Sequence, residues 1–111
     1  MKKENTVKSH AEFDRIIRNG VKVKSTRFSL FGMRSDADCA RVGIAVGKSN
    51  GKAVTRVRIK RQVRAMVASA MDWSLPADLI IVVRPCYSTD EFTESEQELH
   101  ILLGQIKELL H

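Results

Sequence analysis

The chain has 111 residues, 43% of them hydrophobic and 29% charged, which suffices for one domain around one core and excludes two. Lysine and arginine outnumber aspartate and glutamate by 19 to 13, and the resulting net charge of +6 points to an anionic partner. The longest aliphatic stretch, DLIIVV, is far too short for a membrane span, and the opening MKKENTVKSH has no apolar run behind its basic start, so it does not read as a secretion signal.

In chain order, Ser9 and Glu12 have the spacing of a capping box ahead of Phe13, Ile16 and Ile17, and Gly20 closes a short helix over about residues 10 to 18. Residues 22–33, KVKSTRFSLFGM, alternate as a strand does, with Phe28 and Leu30 on one face and Ser29, Phe31 and Met33 on the other. Phe31 lies among polar residues there. An aromatic so placed either stacks on an unpaired base or packs beneath the first helix, and the pattern leaves both open. SDADC is a turn, and ARVGIAV is a second strand in which Gly43 permits close backbone approach.

The run KSNGKAVTRVRIKRQVRAMVASAM, residues 48–71, carries the charge. Arg41, Lys48, Lys52, Arg56, Arg58, Lys60, Arg61 and Arg64 are basic, and no acid stands among residues 41–64. VTRVRIK alternates in a way that also suits a strand, but Ile59, Val63, Met66, Val67 and Ala70 recur at helical spacing and form one apolar stripe. Arg56, Lys60 and Arg64 then stand one turn apart, a like-charge row that weakens an isolated helix and that an anion relieves. Ser49 or Asn50 is placed to cap this helix, and Gly51 lets backbone approach a phosphate.

Beyond it, Trp73 in DWSLPAD reads as a lid on the core, and Leu79 to Val83 as a central strand covered on both faces. Thr93 and Glu96 repeat the capping-box spacing before Leu99, Leu102, Leu103, Ile106 and Leu110, with Glu94, Glu96 and Glu98 on the outer face of the last helix. The expected fold is α+β, a single α/β sandwich domain over 1–111 in the order α-β-β-β-α-β-α, with a mixed central sheet and a βαβ crossover carrying the basic helix. Catalytic patterns are absent. His10, His100 and His111 have no paired nucleophile at a motif spacing, Asp36 and Asp38 are turn chemistry, and SNGK lacks the glycine spacing of a phosphate-binding loop. Cys39 and Cys86 stand far apart without a CxxC and read as reduced thiols of a cytoplasmic protein.

The block GIAVGKSNGKAVTRVRIKRQVR, residues 43–64, resembles the signature of the bacterial ribonuclease P protein component, in which a strand, a lysine-bearing loop and a glycine lead into an arginine-rich helix. Gly43, Val46, Lys48, Gly51, Ala53, Val54, Arg56, Arg58, Ile59, Lys60, Arg61 and Arg64 match; Val57 departs, standing where the family pattern has Asn. The resemblance implies a ribosomal protein S5 domain 2-like fold whose crossover is left-handed, against the usual right-handed rule. It implies a subunit that helps a catalytic RNA remove the 5′ leader from precursor tRNA, with hydrolysis and its Mg²⁺ ions held mainly by the RNA. Lys48, Lys52, Arg56, Arg58, Lys60, Arg61 and Arg64 would grip the catalytic RNA. Phe13, Ile17 and Phe31, with Lys22, Lys24 and Arg27 as nearby charge, would line a cleft for the leader. No catalytic residue, metal ligand, membrane or protein partner is expected. The alternatives are a general single-stranded or ribosome-associated RNA-binding protein without a ribozyme, and a DNA-binding module with the basic helix in a major groove.

Overall fold

The side-chain oxygen of Ser9 accepts the Glu12 backbone N–H at 3.1 Å, so helix α1, His10–Asn19, begins where the capping residues predict. It ends against Gly20, where a Cβ would lie 2.5 Å from the Ile16 carbonyl oxygen and 2.6 Å from that of Gly32. Only glycine fits that crossing. In the computed structural model, which describes residues 5–7 and 9–110, α1 is followed by β1 (Val21–Lys24), β2 (Phe28–Arg34), β3 (Arg41–Val46), α2 (Ala53–Ala70), β4 (Ala77–Val83) and α3 (Phe92–Leu109). The stretch 22–33 is therefore a hairpin rather than one strand. Ser25, Thr26 and Arg27 turn the chain, the Ser25 N–H donating to the Phe28 carbonyl at 2.8 Å, and the alternation continues on both sides of the turn.

The sheet runs β1-β2-β4-β3, antiparallel except for the β3/β4 pair, which α2 connects as a parallel crossover. β4 is one of the two inner strands, as its unbroken aliphatic run predicts. Period-two alternation splits the side chains into two layers. Phe28, Leu30, Val42, Leu79, Ile81 and Val83 meet the apolar faces of α2 and α3, and Trp73 packs at the margin of that core. On the opposite face Ile80 joins Val7 and Ile16, with Phe13, Phe31, Met33 and Val82 against them, so α1 and the segment at Val7 cover that side. Leu79 and Ile81 are fully buried, and shortening either to alanine should cost about 2–5 kcal/mol.

Two expected caps are not used. α2 follows a 3₁₀ turn at Lys48–Asn50, and its N-cap is Lys52 with no side-chain hydrogen bond; Asn50 Nδ2 instead donates to the Arg84 carbonyl at 2.8 Å. Gly51, at φ 117°, takes the left-handed turn that links the two. α3 begins at Phe92 with Glu91 as N-cap, so Thr93 lies inside the helix, and Glu98 is half-buried against the hairpin rather than on the outer face. His111 lies outside the described residues.

Candidate nucleic-acid interface

α2 buries Ile59, Val63, Met66 and Val67, the stripe read from the sequence. With that side fixed against the sheet, Arg58, Lys60, Arg61 and Arg64 stand exposed, Lys48 and Lys52 are exposed just ahead of the helix, and Arg56 is half-buried. The ion pairs among the described residues use Arg15, Arg27, Arg41 and Lys107 as cations. None uses a cation of α2 or of the loop before it. Nor does α2 contain an acid. Its row of positive charge is uncompensated among the described residues, and the potential it sets up attracts a polyanion.

The α1 face is organised by strand register. Lys22, Phe31, Ile80 and Gly43 form one row across all four strands. Phe13 packs on Gly43, where a Cβ would stand 2.6 Å from its Cζ. Lys22 Nζ lies 5.3 Å from the centroid of the Phe31 ring, a cation–π distance. Phe13 and Phe31 thus flank Ile80 on opposite sides. Ile17 is 38% exposed, and Lys22 and Lys24 are exposed on the same side of the sheet as Phe31. A groove of ≈ 480 Å³ follows β3 between the two helices, lined by Val7, His10, Phe13, Ile44, Ala45, Val46, Gly47 and Lys60. It brings an aromatic ring of α1 and a cation of α2 to one surface, although sequence had placed these residues in separate sites.

Arg27 is the correction. Its backbone N–H and Nη1 donate to Glu98, at 3.0 and 2.8 Å, and its Nη2 lies 3.2 Å from Glu91. Glu91 caps α3 and Glu98 lies in its second turn, in the opposite layer, so this guanidinium is committed to holding the hairpin turn and is not spare charge for a cleft. The reading also missed Asp78, which is 2% exposed. Arg41, its neighbour in the β3/β4 register, donates Nε and Nη2 to its two oxygens, each at 2.9 Å, and reaches Glu12 of α1 at 3.3 Å. The bidentate pair ties β3 to β4, and Glu12 extends it to α1. A carboxylate and an arginine at facing register positions were its only signal, and that signal appears only once the strands are paired. Among the described residues no three His, Cys, Asp or Glu side chains gather as a metal site.

A small α+β domain with a cationic helix left uncompensated beside an aromatic-edged groove defines a nucleic-acid-binding class of protein. The chain belongs to the ribonuclease P protein family, whose model, described as Ribonuclease P, matches residues 1–107. It is 32% identical over 103 residues to the ribonuclease P protein component of Streptococcus pyogenes serotype M5, covering 93% of this chain and 87% of that one. It is also similar to the structure of the Staphylococcus aureus RNase P protein, with a TM-score of 0.78, 26% identity, and coverage of 92% and 96% of the two chains. The RNase P protein from Thermotoga maritima shares the fold at a TM-score of 0.68 and 21% identity, over 93% of this chain and 96% of that one.

Proposed function

We propose that this chain is the protein subunit of ribonuclease P and that it assists a catalytic RNA in removing the 5′ leader from precursor tRNA. The observation that carries the reading is the set of α2 cations without a carboxylate partner: Arg58, Lys60, Arg61 and Arg64 are exposed and absent from every ion pair of the described residues. These side chains, with Lys48, Lys52 and Arg56, neutralise phosphates of the RNA subunit, releasing counterions and fixing register. The leader strand lies along the α1 side of the sheet. Phe13 and Phe31 offer stacking faces there, Ile17 an apolar edge, and Lys22, Lys24 and Lys60 charge, so the strand is held with little sequence preference.

In this reading hydrolysis and its Mg²⁺ ions belong to the RNA subunit, whose phosphate oxygens are the hard ligands such a cation takes. The protein's contribution is electrostatic. By covering phosphates it lowers the repulsion between two RNAs, a task that Mg²⁺ otherwise performs at higher concentration. Precursor-tRNA cleavage by the RNA subunit, with and without the purified protein, tests this across a Mg²⁺ titration. The protein should shift the requirement to lower Mg²⁺; an unshifted titration would refute the reading. A strong preference for duplex DNA over structured RNA at equal salt would favour the major-groove alternative.

A further inference from the structure

The exposed side of α2 is not uniformly charged. Val54 and Val57 are 76% and 53% exposed, and with Ala53 they floor a shallow hollow whose other walls are Arg58 and Arg61. At about 100° per residue Val57 lies roughly 160° around the helix from the buried Ile59, so it faces almost straight away from the core. A single exposed valine is ordinary. Two at i and i+3, in the middle of a cationic face, run against both helix propensity, in which valine ranks below lysine and arginine, and charge density.

Phosphate has nothing to gain from these methyl groups. A second copy of the chain is a poor occupant too, since a two-fold contact through this hollow would set Arg58 and Arg61 of each copy against those of the other. The chemistry that fits an apolar floor between two guanidinium groups is a nucleobase turned out of its stack, with its face on the valines and its flanking phosphates on the arginines. Resting on the subunit reading above, we infer that Val54 and Val57 receive an unstacked base of the RNA subunit, so that α2 reads the folded shape of that RNA as well as its charge.

Binding across a salt series, to the ribonuclease P RNA subunit and to a blunt RNA duplex, tests the inference. Val57→Ser and the double variant Val54→Ser/Val57→Ser should weaken binding to the RNA subunit roughly three- to tenfold with an unchanged salt slope, because an apolar contact releases no counterion. Affinity for the duplex, which presents no unstacked base, should stay level, and Val57→Ile should keep the wild-type affinity. Both valines are exposed and serine matches valine in helix propensity, so the fold is retained. Wild-type affinity of the serine variants for the RNA subunit would overturn the base contact while leaving the subunit reading intact. Equal losses on both RNAs, or altered sedimentation of the variant protein alone, would also overturn it, in favour of general backbone binding or self-association. A wild-type chain that fails to bind the RNA subunit would overturn the subunit reading itself.

Discussion

Arg41 and Arg58 come from the same basic chain, yet one is held by Asp78 and Glu12 while the other meets no carboxylate of the described residues. Arg41 and Arg27 sit where strands and helices of different layers join, and each is satisfied by acids brought from distant parts of the sequence. Their charge is consumed in assembly. The α2 cations project from the outer side of a helix with no acid of its own. Cations of the first kind should matter to stability and little to binding, those of the second kind the reverse, and net charge alone does not separate them.

The largest effect that would break this contrast is expected at Asp78. Asp78→Ala leaves the Arg41 guanidinium without its bidentate partner, and urea unfolding should show a loss of about 3 kcal/mol; a loss under about 1 kcal/mol would mean that Glu12 suffices. Next comes Phe31→Ala, expected to weaken binding of leader-bearing precursor tRNA by about 1–3 kcal/mol while mature tRNA binding stays level. Equal losses for the two substrates would place Phe31 with the core residues instead. Arg58→Ala and Lys60→Ala should leave the unfolding free energy within about 0.5 kcal/mol of wild type. Each should lower the slope of log affinity against log salt by roughly 0.7 to 0.9, and an unchanged slope would show that the side chain meets no phosphate.

The smallest effect sharpens the contrast at the surface, where Asp72 bonds the Ser74 hydroxyl and Lys107 of α3, and is held down at about 2 from an ordinary 3.8, chiefly by Ser74 and then by Lys107. A depressed carboxyl contributes stability that is present above its unfolded value and is lost as pH falls through its folded one. Asp72→Asn should therefore flatten the acid side of the melting-temperature profile between 3.8 and about 2 and change little at neutral pH.

Much of this was open to inspection in the linear chain. Ile59, Val63, Met66 and Val67 announce a helix and the side it buries, and the unbroken run of residues 79–83 announces a strand with two covered faces. The α2 surface follows directly, since whatever lies opposite the stripe must be outside. Features that depend on which strand meets which were hidden: the Arg41–Asp78 pair needs the β3/β4 register, and Arg27 reaches Glu98 across 71 positions of sequence. Local signals misled where two were in competition. Thr93 has a good capping spacing, but the helix is capped two residues earlier, at Glu91, which also holds Arg27. At residues 25–27 the alternation of KVKSTRFSLFGM conceals a turn that contains neither glycine nor proline.

The position of β4 bears on how the chain can be made. β2 and β3 both find their main partner in this strand, and among the described residues the pairings complete before Ala77 is synthesised are the β1/β2 hairpin and the bridge of Thr6 to Val42. Until β4 emerges the oily side of α2 has no sheet to lie on, and its cations have no fixed direction. The face of α2 proposed to meet RNA thus takes its place late, in a step that inserts one strand between two already waiting, and a ribosome stalled before residue 77 would hold a basic chain without its central pairing.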